Sequence, residues 1–250
     1  MNNILAILHD DYKQIIAQEY QYKCTTEEVT YYRTRQLGPE ALIEDALLKK
    51  IPNILISDIH PFWVAAYLTI GAGSPDYTVA AFNSEIFKIA DVDQVSTDLL
   101  AYLRSVSHAR ADTIANRLSQ PFDETMTTLI ELVTAGVVVA NGKTFSLSKT
   151  WYSILPDVFT IEAKVVNWQN AIEQAIRNQL FSHRSFIALP TKMAQRASIN
   201  SNRAKEFGIG VIGVDEVGNV SILRQARRTN PKIWTYYYKV ALQVVKKNRM

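Results

Sequence analysis

The segment Glu162-Ala163-Lys164 places a carboxylate and an ammonium inside a stretch that otherwise has the composition of a buried strand. Residues 158–165 read VFTIEAKV, and short apolar, β-branched runs are typical of strands. Side chains two positions apart on a strand point to the same face. Charged groups are rarely buried without a partner or a role. The pair fits a site in which Glu162 binds a hard cation while Lys164 orients water or stabilises charge; an ion pair on an edge strand is the alternative.

Two Pro-Asp pairs supply candidates for a second metal ligand, Asp76 and Asp157. Asp157 lies five positions before Glu162 on the same predicted strand. This odd separation places the two carboxylates on opposite faces, on the order of 16 Å apart. Asp76 belongs to a different predicted strand, so strand pairing can bring it beside Glu162. The sequence therefore favours Asp76, and Asp157 stays open as the alternative.

Several predicted elements surround these residues in a defined order. Glu44 lies in a helix that begins at Glu40, and Asp76 lies in the second strand of a hairpin that turns through residues 71–74. The Glu-x-Lys strand is followed by a helix over 168–180 that contains Gln174, and then by a short buried strand over 185–189.

This order resembles that of the PD-(D/E)XK nuclease superfamily over roughly residues 40–82 and 156–190. The resemblance implies an α/β fold with a mixed central sheet of the restriction-endonuclease-like type. It also implies Mg²⁺- or Mn²⁺-dependent hydrolysis of phosphodiester bonds in nucleic acid, with DNA as the expected substrate. Asp76 and Glu162 would be the metal ligands, and the catalytic set would be Asp76, Glu162, Lys164, Glu44 and Gln174. Asn178 stands where glutamine-containing branches of the superfamily have tyrosine.

Residues 95–149 are expected to form a unit of their own. Three helices precede a hairpin at Asn141-Gly142, which is the order of a winged helix. The third helix is the one that such units normally place in the major groove of DNA. Here it contains Asp123, Glu124 and Glu131 and has no Lys or Arg. Because acidic groups oppose binding to phosphates, packing or dimerisation is the alternative role for this unit.

Basic residues are concentrated in the C-terminal third of the chain. Residues 1–162 contain 12 Lys/Arg and 20 Asp/Glu, a net charge of −8, whereas residues 163–250 contain 15 and 4, a net charge of +11. Such asymmetry favours binding of a polyanion. The candidate nucleic-acid contacts are two residues after the last core strand and three before the C-terminal helix: Lys192, Arg196, Arg224, Arg227 and Arg228.

The expected division of the chain is into three segments. Residues 1–94 would form an N-terminal helical region and the first part of the nuclease-like core, 95–149 the winged-helix-like module, and 150–250 the Glu-x-Lys part with a basic C-terminal helix. The first 35 residues are expected to be helical. Pro52 is expected to end the helix that begins at Glu40.

Composition argues against several other classes of protein. Cys24 is the only cysteine, so an internal disulfide is impossible and a structural zinc site is not expected. No apolar stretch reaches the roughly 20 residues that span a bilayer, and neither a secretory leader nor a phosphate-binding glycine loop is evident. We therefore expect a cytoplasmic protein that does not bind membranes.

Two functions are consistent with these features. The first is a metal-dependent nuclease, which would act as a homodimer where both strands of DNA are cut. The alternative is a non-catalytic winged-helix regulator or scaffold built on a nuclease-like fold. A binder would retain DNA without a divalent cation and leave it intact, so the metal requirement distinguishes the two.

Overall fold

The chain forms two compact units. The computed structural model describes residues 3–8, 12–15, 19–21, 31–33, 40–55, 60–71, 73–89 and 95–248. One unit comprises Met1–Ala81 with Asp157–Lys232, and the other comprises Phe82–Pro156 with Ile233–Met250. The second unit thus groups the segment 82–156 with the C-terminal helix, whereas the expected boundaries are at residues 94 and 149.

A mixed sheet of eight strands is the centre of the first unit within the described ranges. In spatial order the strands are β13 (Val220–Arg224), β12 (Gly210–Val214), β11 (Arg184–Pro190), β10 (Asp157–Ala163), β6 (Tyr77–Ala81), β5 (Phe62–Ala66), β1 (Asn3–Leu8) and β3 (Glu19–Gln21). Strands β10, β11 and β12 are parallel, and β6 is antiparallel to both β10 and β5. The expected α/β class with a mixed sheet is confirmed. Strands β10, β11 and β12 all end on the same side of the sheet, which we call the carboxyl edge. They begin on the opposite side, which we call the amino edge.

The helical prediction for the first 35 residues is wrong wherever the structure describes them. Besides β1 and β3, this region contains β2 (Tyr12–Ile15) and β4 (Tyr31–Arg33), which pair with each other. Strand β1 pairs in parallel with β5. A short apolar run such as residues 3–8 has no periodicity that distinguishes a buried strand from a helix, so the pairing partner decides.

Helix α1 (Glu40–Leu55) covers one face of the sheet. Its residues Leu47 and Ile51 are fully buried and belong to one core with Phe159, Ile161 and Ala163 of β10. The prediction that Pro52 ends this helix is wrong. Proline lacks an N–H and crowds the carbonyl four residues earlier, but burial of the preceding turn against the sheet stabilises the helix up to its last residues.

Three helices follow on the other face: α5 (Trp168–Asn178), α6 (Thr191–Asn200) and α7 (Asn202–Phe207). Ala171, Ala175, Ala194 and Ala197 pack there against Ile187 and neighbouring strand residues. The helical pattern of the sequence predicts α5, but it does not predict a helix over 191–207. The apolar stripe of α6 consists largely of alanines, which give a weak periodic signal. No helix in the described part of the chain is both long and apolar enough to span a bilayer.

The second unit contains three helices followed by a hairpin, in the order predicted for a winged helix. Its elements are a 3₁₀ turn (Ser84–Lys88), α2 (Thr97–Ser105), β7 (Ala109–Arg110), α3 (Ala111–Leu118), α4 (Phe122–Thr134), β8 (Val138–Asn141), β9 (Thr144–Leu147), a second 3₁₀ turn (Lys149–Ser153) and α8 (Trp234–Asn248). Ser96 caps α2 by accepting a hydrogen bond from the N–H of Leu99. Strand β9 lies between β7 and β8. Two buried hydroxyls attach α8 to this unit: Tyr237 donates to the carbonyl of Leu155, and Tyr238 to that of Trp151.

Two glycines of β12 provide a matched test of the packing between strands and helices. A Cβ at Gly210 would overlap the ring of Phe186, whereas a Cβ at Gly213 would have Leu223 Cδ1 as its nearest neighbour at an ordinary 3.4 Å. We expect Gly210→Ala to lower the free energy of unfolding by about 1–3 kcal/mol, measured by urea denaturation. Gly213→Ala is expected to change it by less than about 1 kcal/mol, and equal losses in the two variants would contradict this description of the core.

Candidate active site

Asp76 and Glu162 face each other across two adjacent strands. Strands β6 and β10 pair in register up to Tyr77 opposite Ile161, so one further step places Asp76 opposite Glu162. Residues directly opposite in an antiparallel pair have side chains on the same face. The N–H of Ala163 donates to Asp76 Oδ2 at 2.6 Å. Both carboxylates are buried, with 8% of Asp76 and 3% of Glu162 exposed.

Helix α5 contributes a third side chain, Asn178, to this pair. Its Nδ2 donates to Glu162 Oε1 at 2.7 Å, and Asn178 is itself only 1% exposed. The hairpin turn before Asp76 also approaches Asn178, since a Cβ added at Gly73 would lie 3.0 Å from Asn178 Oδ1. The turn, β10 and α5 therefore meet at one point, and a side chain at Gly73 would disturb it.

The Glu162 carboxyl retains its proton to an unusually high pH. Burial raises its pKa to about 8, and the negative charge of Asp76 contributes in the same direction. The hydrogen bond from Asn178 and the positive charges of Lys164 and Arg177 act to lower the pKa but do not restore its ordinary value. Two carboxyl groups that share a buried site cannot both ionise easily unless a cation joins them.

Lys164 provides a cation at the carboxyl edge. Its Nζ lies 3.6 Å from Oε1 of Glu40, the first residue of α1, and the Lys164 side chain is 22% exposed. The backbone N–H of Lys164 still donates to Ala188 of β11 at 3.0 Å. The ladder thus continues to this position, and the ammonium is held between Glu40 and solvent while it acts on Glu162.

A buried hydroxyl cluster fixes the end of α5 from which Asn178 projects. Thr160 Oγ1 donates to Ser185 Oγ at 2.9 Å, and Ser182 Oγ lies 2.9 Å from Ser185 Oγ. Ser182 Oγ also donates to the carbonyl of Asn178 at 2.9 Å. All three hydroxyl residues have no exposed surface. Thr160 is two residues before Glu162 on the same face of β10, so the cluster sets the position of the helix relative to the carboxylate.

Gln174 lies one helical turn before Asn178 on the same face of α5. Its Oε1 is buried and accepts no hydrogen bond. A buried oxygen without a donor costs free energy, so a water molecule or another donor bound there would stabilise it.

Glu44 is placed on the opposite side of the sheet. It belongs to α1, which packs on the face formed by Phe159, Ile161 and Ala163, whereas Glu162 points to the face covered by α5. Glu44 is 4% exposed, and its backbone carbonyl accepts the hydroxyl of Tyr77 at 3.0 Å.

Asp157, the alternative ligand, lies at the amino edge. It pairs with Ala81 at the far end of the ladder from Glu162. Its carboxylate is 3.3 Å from Arg184 and 4.0 Å from Arg228. Burial raises the pKa of Asp157, and the two arginines oppose that shift. Of the two Pro-Asp pairs, the one at Asp76 is therefore next to Glu162.

The three arginines before α8 are not close to Asp76 and Glu162. Arg224 pairs in register with Val211 at the start of β12, which is the amino edge. Arg227 is exposed and donates to the carbonyl of Glu206, and Arg228 faces Asp157. By contrast, Lys192 and Arg196 are exposed on α6, whose first turn follows the end of β11 at the carboxyl edge. Lys192, in that first turn, is thus on the same edge as Lys164.

The donor set at this site is small. Across the described ranges, His, Cys, Asp and Glu side chains form no group of three or more that would hold a metal ion. Asp76 and Glu162 are a pair, and Mg²⁺ is commonly bound by one or two carboxylates that are completed by water and substrate phosphate. A buried carboxyl whose pKa is raised by burial and by the negative charge of Asp76 fits such an ion.

Asn178 and Glu40 belong to this site, but the sequence does not predict these roles for them. From sequence, Asn178 is only a departure from a tyrosine, and Glu40 is only the start of a helix. The spacing of Gln174 and Asn178, four apart, was the available signal for a polar face on α5. The contact between Lys164 and Glu40 joins residues 124 positions apart in the sequence, and no local pattern indicates it.

Comparison of the chain with protein-family models, with characterised proteins and with solved structures finds no match. Function is therefore inferred from the geometry and chemistry of the site itself.

The metal-free protein is expected to become less stable as the pH rises from about 5 to about 8. The folded chain keeps the Glu162 proton up to about pH 8, whereas an unfolded chain releases it near the ordinary glutamate pKa of 4.5. Because the folded state binds more protons in this window, the free energy of unfolding falls by up to roughly 1.4 kcal/mol per pH unit. Urea denaturation in the presence of a chelator measures this slope.

Glu162→Gln is the control, since it carries no charge at any pH in the window. In the variant, the free energy of unfolding should fall less steeply with pH. The slope that remains would come from Asp45 and Asp157, whose pKa values are also raised by burial. Identical slopes for the parent and the variant would contradict the assignment of the raised pKa to Glu162.

Proposed function

We propose that this protein is a metal-dependent nuclease, with a restriction-endonuclease-like sheet, that hydrolyses phosphodiester bonds in DNA. The observation that carries the proposal is the burial of Asp76 and Glu162 side by side on adjacent strands, with the positive charge of Lys164 near enough to act on Glu162. In open α/β sheets, ligands bind outside the carboxyl ends of the strands. A phosphate approaching this edge would meet both the carboxylates and the ammonium.

Asp76 and Glu162 are the residues that would hold Mg²⁺ or Mn²⁺. When bound, the ion supplies Lewis-acid polarisation of a phosphoryl oxygen and activation of water. The chain orients its own ligands through the Ala163 N–H, which fixes Asp76, and through Asn178, which fixes Glu162. Such partners of metal ligands set their orientation and affinity.

Lys164 acts on the substrate side of the site. Its ammonium is held near Glu40 and remains partly exposed at the carboxyl edge. There it stabilises the negative charge that develops on the phosphate oxygens and donates a hydrogen bond to the attacking water. Gln174 Oε1, which lacks a donor in the buried interior, accepts a hydrogen bond from a water molecule in this region.

Contacts with the polyanion extend along the basic C-terminal third. Lys192 and Arg196 are the exposed cations on the helix that starts at the carboxyl edge, and they are the proposed phosphate contacts nearest to the site. Arg224, Arg227 and Arg228 lie at the amino edge, so any contact they make is remote from the cleaved bond. Binding through such groups weakens steeply as salt increases.

The rival function is a non-catalytic DNA-binding regulator or scaffold. Two observations favour it: the described residues contain no cluster of three or more metal-binding side chains, and the second unit has the helix order predicted for a winged helix. It predicts DNA binding that is independent of divalent cations, and no change in the DNA.

Cleavage assays on plasmid and single-stranded DNA test the nuclease proposal. We expect cleavage with Mg²⁺ or Mn²⁺, none with chelator, and losses of at least about 100-fold in Asp76→Asn, Glu162→Gln and Lys164→Ala. Asp76→Asn and Glu162→Gln each remove the charge of a metal ligand but keep the size of the side chain. Lys164→Ala removes the positive charge that stabilises the phosphate.

Asp157→Asn is the matched control, because Asp157 is the aspartate of the other Pro-Asp pair and lies at the opposite end of β10 from Glu162. It should retain cleavage once its folding is verified by circular dichroism. A Glu162→Ala variant that cleaves as well as the parent would refute the proposed centre. Absence of cleavage by all proteins, with intact salt-sensitive DNA binding, would favour the regulator.

Metal binding is expected independently of catalysis. Loss of the free Mn²⁺ signal in electron paramagnetic resonance should report binding to the parent. Asp76→Asn should abolish Mn²⁺ binding. Asn178→Ala should weaken the affinity for Mn²⁺ by about 10- to 100-fold, because Asn178 orients a metal ligand without being one. Asp157→Asn should bind like the parent, and a parent that binds no Mn²⁺ would contradict the assignment.

A further inference from the structure

Helix α4 of the second unit carries an apolar stripe on its exposed side. Phe122 and Ile130 are 51% and 57% exposed, and Met126 is half-buried between them. Residues four apart lie above one another on a helix, so the three form one continuous strip, which we call the α4 stripe.

The α4 stripe is separate from the surface that attaches the helix to its own unit. That attachment is made by Leu129, Leu132 and Thr125, which are buried. At 100° per residue they occupy the sector beside the stripe and not the stripe itself. The exposed strip is therefore not required for the core of this unit, which leaves it accessible to something else.

Acidic residues border the other side of the stripe. Asp123, Glu124 and Glu131 are exposed there, and α4 contains no Lys or Arg. Two threonine hydroxyls of α4 donate to nearby backbone carbonyls: Thr125 to that of Pro121, and Thr127 to that of Asp123. A helix that presents hydrocarbon and carboxylates repels phosphates, so the α4 surface does not fit nucleic acid.

A second copy of the same surface does not fit either. Two α4 helices packed antiparallel about a two-fold axis would place Asp123 and Glu124 of one chain beside Glu131 of the other. Like charges brought together oppose association. The complementary surface is instead apolar and basic.

We propose that the α4 stripe is a docking site for an amphipathic helix of a partner protein, with an apolar face flanked by Lys or Arg. Phe122, Met126 and Ile130 would receive the partner's apolar face, as anchors spaced along one side of a helix do in helix recognition. Asp123, Glu124 and Glu131 would pair with the flanking cations and select the partner. The inference does not depend on the proposed nuclease function.

The test uses the full chain and a fluorescent synthetic helix of about 18 residues, long enough to be helical when bound. Its leucines form one stripe and its lysines flank them; a second peptide has the same composition in scrambled order. By fluorescence anisotropy at about 0.15 M salt, where exposed charges are screened, the striped peptide should bind at least about tenfold more tightly than the scrambled one.

Two variants locate the binding surface. Ile130→Ser and Phe122→Ser should each weaken binding of the striped peptide by about tenfold or more, and both should retain the melting temperature of the parent because the altered side chains are exposed. Ile199→Ser on α6 is the matched control, since Ile199 is 69% exposed; it should bind like the parent. Should Phe122→Ser unfold, Ile130→Ser carries the test alone.

Several outcomes would overturn the proposal. Equal binding of both peptides would show charge attraction without recognition of the stripe, and unchanged binding by Ile130→Ser would place the contact elsewhere. A self-associating parent that Ile130→Ser converts to a monomer, in sedimentation, would make a second copy the occupant. Loss of oligonucleotide binding in Ile130→Ser, but not in Ile199→Ser, would assign α4 to nucleic acid.

Discussion

The burial of the Glu162 carboxyl among apolar strands is the constraint on which the first unit depends. Removing a carboxylate from water is costly, and a second carboxylate nearby increases that cost. The surrounding groups reduce it in separate ways: Asn178 donates a hydrogen bond, Lys164 adds positive charge, and retention of the proton avoids ionisation altogether. Each compensating group in turn needs its own support, which the hydroxyl cluster under α5 and Glu40 of α1 provide.

Alternation along β10 allows one strand to serve two purposes. Phe159, Ile161 and Ala163 form the apolar core with α1, while Thr160 and Glu162 point to the other face and form the polar cluster. A slip of the register by one residue would exchange these faces and bury the polar set under α1. The core thus fixes the register, and the register fixes which carboxylate stands opposite Asp76.

Local patterns predict much of this architecture. The hairpin that carries Asp76, the Glu-x-Lys strand, α5 and the short buried strand β11 are all correct in type, because alternation, glycine turns and a helical stripe act over a few residues. The N-terminal strands, the passage of α1 through Pro52 and the alanine-based α6 are not predicted, because partners distant in sequence decide them. Likewise, the odd number of positions between Asp157 and Glu162 on one strand is enough to favour Asp76 over Asp157. Asn178 and Glu40 join the site through contacts between residues distant in sequence, which no local pattern predicts.

The interruption of the first unit by the second has a consequence for biosynthesis. Asp76 and Ala163, which are hydrogen-bonded, are 87 positions apart, and the whole segment 82–156 is translated between their strands. On the ribosome, β6 has to wait for β10 with one row of backbone amides and carbonyls unpaired, a state prone to aggregation. Early folding of the segment 82–156 would shorten the effective tether between the two strands, whereas α8, which completes the second unit, is translated only after β10.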